Sequence, residues 1–172
     1  MITPGQRKSY LQQSLPELKD YLLSNAAIWP LGSQPYPLTI GNILLELQFF
    51  TIDQADLADQ IKKTVEQTKQ SWRVRWSEKA GIEARSRLTN WAEVTSNSES
   101  MTDATYQADI RNRLILQLLL SEQNGTVTVN SVALADQKIL KHLAPGGPIL
   151  PEKYQALFDG PDYWFLHKSV RR

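Results

Sequence analysis

TIDQADLADQIKKTVEQTKQSWRVRWSEKAGIEARSRLTNWAEVT, residues 51–95, is the longest stretch of the chain that keeps helical periodicity without a proline, and the architecture follows from its reading. Leu57, Ile61, Val65, Thr68, Trp72 and Trp76 stand four, four, three, four and four residues apart. At about 100° per residue that spacing holds them on one side of a helix. Asp53 is placed to cap the first turn, and Ile52 and Leu57 occupy the two positions of a hydrophobic staple. Past Gly81 the apolar stripe changes phase, because Ala84, Leu88, Trp91 and Thr95 repeat at helical spacing roughly opposite the first set. The pattern predicts a long amphipathic helix over 53–95, or two in line, that bends or changes packing partners near Ala80 and Gly81.

Length sharpens that expectation. Forty-odd residues at 1.5 Å each span roughly 60 Å, whereas a compact chain of this size is only about 40 Å across. Such a rod either breaks or has its end covered by a second copy of the protein.

The 172 residues carry a formal charge of +1 and 22% charged side chains, so the total implies neither a strongly acidic nor a strongly basic partner. With no cysteine, disulfides, thiolate nucleophiles and Cys-type zinc sites are excluded together. The N-terminus, MITPGQRKSY, lacks an apolar core of signal-peptide length, and the most apolar run, Leu114 to Leu120, is far shorter than a membrane span. The expectation is a single cytoplasmic domain over 1–172 that makes no use of a membrane.

Outward from the long stretch, the neighbouring segments are helical too. Residues 1–13 read as an irregular arm or separate turn, because Ser14-Leu15-Pro16-Glu17 is a capping box with proline in the first turn, which predicts a helix over about 15–24. Residues 25–38 form a loop rich in proline (Pro30, Pro35, Pro37) and carrying Trp29 and Tyr36. Thr39 caps a helix to about 50, with Ile43, Leu44, Leu47 and Phe50 inward. Thr102 or Asp103 caps another, over about 103–122, apolar around so much of its circumference that it belongs at the centre of the bundle. Residues 126–129 read as extended coil, and Ser131 caps a helix over about 132–143. After a short helix opening at Pro151, the aromatic tail DYWFLHKSVRR is expected to strap back on the bundle, leaving Arg171 and Arg172 in solvent. The expected fold is all-α: a four- or five-helix bundle organised around one long, kinked helix, with a C-terminal aromatic strap.

Three places carry candidate chemistry. Lys69, Arg73, Arg75, Lys79, Arg85 and Arg87 interleave with Trp72 and Trp76, with only Glu78 and Glu83 as nearby acids. Cations beside rings can track phosphates and stack on bases, but buried tryptophans would leave these cations as an ordinary solvated face matched to the helix dipole. Trp29 and Tyr36 could line the mouth of a pocket instead of merely covering one end of the core. Arg113 lies beside the core stripe of its helix; pairing with Asp109 or Glu83 would make it structural, and burial without an acid would make it an anion site.

Other constellations are unsupported. Asp53, Asp56 and Asp59 have magnesium-like spacing but no facing carboxylates, and His142 and His167 lack any zinc-site companion. No nucleophile elbow or phosphate-binding glycine motif occurs, so neither metal nor cofactor is implied. The leading expectation is a non-enzymatic interaction or scaffold protein that self-associates through its long helix, its partner a protein, whether a second copy or another chain. The alternatives are a nucleic-acid binder using the basic face of 69–87, and a small-molecule binder or enzyme with a pocket beneath the Trp29/Tyr36 loop.

Overall fold

The computed structural model describes residues 1–171. Helix α1 runs Pro4–Leu23, α2 Ile40–Asp53, α3 Ala55–Ser71, α4 Arg73–Ser96, α5 Asp103–Leu119 and α6 Val129–Leu140. Strand β1 (Leu143–Pro145), the short helix α7 (Glu152–Gln155) and strand β2 (Lys168–Val170) follow, with 3-10 turns at Ser98–Ser100, Ala156–Phe158 and Pro161–His167. The fold is helical and bundle-like, as the patterning predicts.

The stretch that decides the architecture is broken, but not where its stripe suggested. Gln54 (φ −153, ψ 78) separates α2 from α3, and Trp72 (φ −125, ψ 35) separates α3 from α4. The helix then passes through Ala80 and Gly81 without interruption. Trp76, Ala80, Ala84, Leu88, Trp91 and Thr95 form one stripe within α4 that packs on α5 and α6. Ile61 and Val65 of α3 face α1 and α2 instead. The change of partners is therefore real, and it is made by one non-helical residue at Trp72. Gly81 serves a different purpose: a Cβ there would lie 2.7 Å from Thr126 Oγ1, so its missing side chain admits the loop that follows α5.

Broken in this way, the rod becomes helices of 17 and 24 residues, roughly 25 and 36 Å long. Both fit within a monomer about 40 Å across, so the length argument for self-association no longer applies. Nor does Asp53 cap α3. It ends α2, while Gln54 holds the cap position without a side-chain hydrogen bond.

Helix α1 begins eleven residues earlier than its internal capping signal suggests. Thr3 accepts the backbone N–H of Gln6, the Gln6 side chain accepts that of Thr3, and Pro4 stands at the first helical position. Residues 4–13 are thus helix rather than an arm, and Pro16 lies inside it. A proline in a helix interior costs about 3 kcal/mol, yet burying Tyr10, Leu11, Leu18 and Tyr21 along one face at roughly 1.5–3 kcal/mol each outweighs it. Ser14, the expected cap, instead donates to Tyr10 O at 2.8 Å.

Later elements shift less. Thr102 caps α5 as expected, whereas α6 starts at Val129 behind Thr128, three residues before the expected position, because Thr128 and Ser131 form the capping box. Strand β1 pairs antiparallel with β2, Leu143 opposite Val170 and Pro145 opposite Lys168. That pairing was not legible in the sequence. It anchors the C-terminal strap, whose Phe165 is fully buried and whose backbone oxygen at that residue accepts the Tyr106 hydroxyl at 2.8 Å. Arg171 is exposed as expected, although its guanidinium reaches Leu143 O at 2.7 Å. The expectation for Arg172 lies outside the described residues.

Candidate binding groove between α2 and α5

Helices α2 and α5 pack side by side, and the proline-rich loop folds over one end of the seam. The loop is pinned by a two-way backbone bridge, Trp29 N–H to Leu38 O at 3.1 Å and Leu38 N–H to Trp29 O at 2.8 Å. Tyr36 is thereby held edge-on to Tyr10 of α1, with ring centroids 6.5 Å apart.

Beneath Tyr36 opens a groove of about 480 Å³. Leu45 and Phe49 line it from α2, Ile110 and Leu114 from α5, and Ile149 and Leu150 from the segment after β1. Its rim is mixed: Tyr36, Gln107, Ala108, Arg111 and Met1. Apolar walls with a few polar groups at the mouth are the usual composition of a small-molecule site, and the volume falls within the usual 300–1,000 Å³.

A buried polar cluster holds Arg111 in place. Its guanidinium carbon sits 3.8 Å from the centroid of the Tyr36 ring, and it donates to Asn42 Oδ1 at 2.8 Å and Glu46 Oε1 at 3.0 Å. The other Glu46 oxygen accepts Arg7 Nε–H at 2.8 Å. Arg7, fully buried against the rings of Phe49 and Tyr154, also pairs with Asp53 and donates to the Tyr154 hydroxyl. That hydroxyl donates to Asp53 Oδ1 at 2.8 Å, and Lys153 reaches the same oxygen at 2.7 Å. Burial alone would raise the Asp53 carboxyl, but hydrogen bonds from Lys153 and Tyr154 and the charge of Arg7 prevail and hold it below the usual carboxylate range.

Of the residues proposed for a pocket, only Tyr36 lines the groove. Trp29 is half-buried and donates its indole N–H to Glu17 of α1 at 3.2 Å. Arg113 is buried on another face of α5 and forms a two-point pair with Asp136 of α6 at 3.0 and 2.9 Å, while Trp91 Nε1–H adds a third bond to that carboxylate at 2.7 Å. Its acid is therefore Asp136, neither Asp109 nor Glu83, and the pair ties α5 to α6. Arg111, two residues earlier, takes the place expected of it. Arg7, Glu46 and Tyr154 were not foreseen; the available signal was Glu46, a carboxylate set among Ile43, Leu47 and Phe50 of an apolar helix.

The six cations of 69–87 have separate fates. Lys69 pairs with Glu122 at 2.7 Å, Arg75 with Glu78 at 3.0 Å and Arg87 with Glu83 at 2.9 Å. Lys79 is buried, its ammonium 4.5 Å from the Tyr21 ring centroid and bonded to Ala26 O; burial first, and the charge of Arg75 second, depress its pKa. Arg73 and Arg85 are exposed and have no acidic partner among the described residues. The three aspartates also part company: Asp53 joins the cluster behind the groove, while Asp56 and Asp59 are exposed. Among the described residues no helix is long and apolar enough to cross a membrane. No family model, no curated protein and no solved structure matches the chain, so its own geometry is what bears on function.

Proposed function

We propose that the protein is a small-molecule-binding protein whose site is the groove between α2 and α5. The observation that supports this reading is the union of an apolar trough of about 480 Å³ with an arginine fixed at its mouth by stacking and two hydrogen bonds. Holding these groups in place before a ligand arrives removes part of the ordering cost of binding. The reading asks for no catalysis, because the titratable groups beside the groove are engaged with one another.

Nile red, a neutral solvatochromic dye, serves as the probe. Its emission should shift to the blue and strengthen on the wild-type protein, and Ala108→Trp, which fills the groove from its exposed rim, should abolish the change while leaving the thermal midpoint intact. Equal dye binding by both proteins would sink the reading.

A further inference from the structure

The charges around the groove do not balance. Arg7, Arg111 and Lys153 face Glu46 and Asp53, three cations against two carboxylates. Arg7 is committed inward, to Glu46, Asp53, Tyr154 and the Ile2 carbonyl. Lys153 is not among the residues that line the groove; it stands half in solvent and bonded to Asp53. Arg111 is thus the member of the cluster that lines the groove, and the Glu46 charge it leans on is shared with Arg7. Of the five N–H groups a guanidinium carries, Arg111 uses one on Asn42 and one on Glu46, leaving three uncommitted among the described residues.

We infer that the groove selects ligands with an apolar body and a terminal carboxylate, the carboxylate seated on the uncommitted N–H groups of Arg111. This rests on the groove being a binding site. A partly compensated guanidinium beside apolar walls is poorly hydrated, so an incoming anion recovers more there than it would in water. The Tyr36 ring, its centroid 3.8 Å from the guanidinium carbon, restricts how the donors can turn, which suits the two-point geometry of a carboxylate. Among the described residues Arg111 is the one charged side chain that lines the trough, so one charge at one end, with a hydrocarbon or aryl body behind it, is the chemistry that fits.

Titration calorimetry with decanoate and decanol at neutral pH separates the two claims, because the molecules share a body and differ in charge. Decanoate should bind the wild-type protein about tenfold more tightly than decanol or better, a preference eroded by salt. Arg111→Gln should bring the ratio near one, chiefly by weakening decanoate. Glu46→Gln, which frees Arg111 from its shared carboxylate while keeping the volume of the side chain, should raise the ratio, and it guards against misreading an unfolded Arg111 variant. Equal affinities for the two probes, or a preference that survives Arg111→Gln in a folded protein, would overturn the inference and leave the groove reading standing. Failure of both probes, with no Nile red response, would remove both together.

Discussion

The carboxylate of Glu83, on α4, accepts the backbone N–H of Gly41 at 2.8 Å and the Thr39 hydroxyl at 2.8 Å, and so caps the first turn of α2 from a different helix. A negative charge at that position also meets the positive end of the α2 dipole. The approach is close enough that a Cβ on Gly41 would sit 2.2 Å from Ile115 Cγ2 and 2.8 Å from Glu83 Oε1. Gly41→Ala should therefore cost about 3 kcal/mol in chemical denaturation and lower the thermal midpoint by roughly 6–12 °C. Glu83→Gln, which keeps the volume and one acceptor but loses the charge shared with Arg87, should cost about 1–2 kcal/mol. A Gly41→Ala protein as stable as the wild type would show that α2 can slide away from α4 and α5 at little expense.

Acid should unfold the protein partly through Asp53. Its native pKa lies below the ordinary value of 3.8, so its contribution to stability is complete above that pH and is lost as pH falls through the native pKa. Asp53→Asn should lower stability at pH 7 and flatten the acid limb of a plot of unfolding free energy against pH. Parallel acid limbs in the two proteins would mean that Asp53 titrates alike in the folded and unfolded chains.

Asp109 has the opposite sign. Burial raises its pKa above 3.8, so the folded state holds the proton more tightly; the stability this provides is present at low pH and disappears as pH rises through the native pKa. Asp109→Asn should therefore stabilise the protein at pH 7, with the gain shrinking towards pH 3. Thermal melts across that range check it, and a loss at pH 7 would show that the carboxylate makes a contact worth more than its desolvation.

Pro16 is exposed in the interior of α1. Pro16→Ala restores an N–H donor and relieves the clash with the preceding turn, worth about 3 kcal/mol in an unstrained helix, against up to about 1 kcal/mol lost by loosening the unfolded chain. A net gain of roughly 2–3 kcal/mol in urea unfolding is expected. No gain would mean that the packing of Tyr10 and Leu18 depends on the backbone geometry that the proline enforces.

The sequence by itself determined that the chain is helical, where α2 and α5 begin, and that the tail folds back. Those features rest on local forces: the 3.6-residue period of apolar side chains, the caps Thr39 and Thr102, and the aromatic content of residues 163–165. The start of α1 is not decided locally, because two capping signals compete there, Thr3 with Gln6 and Ser14 with Glu17, and only packing of the first ten residues decides between them. The break at Trp72 was hidden because one non-helical residue leaves the spacing of Trp72 and Trp76 unchanged in sequence while turning the stripe towards new neighbours. The groove belonged wholly to the tertiary structure. Arg7, Glu46, Arg111 and Tyr154 come from four elements up to 147 positions apart. Which of two arginines on opposite faces of α5 reaches Tyr36 depends on how that helix is rotated in the bundle, and that rotation is set by the many weak contacts of a packed core rather than by any short-range pattern.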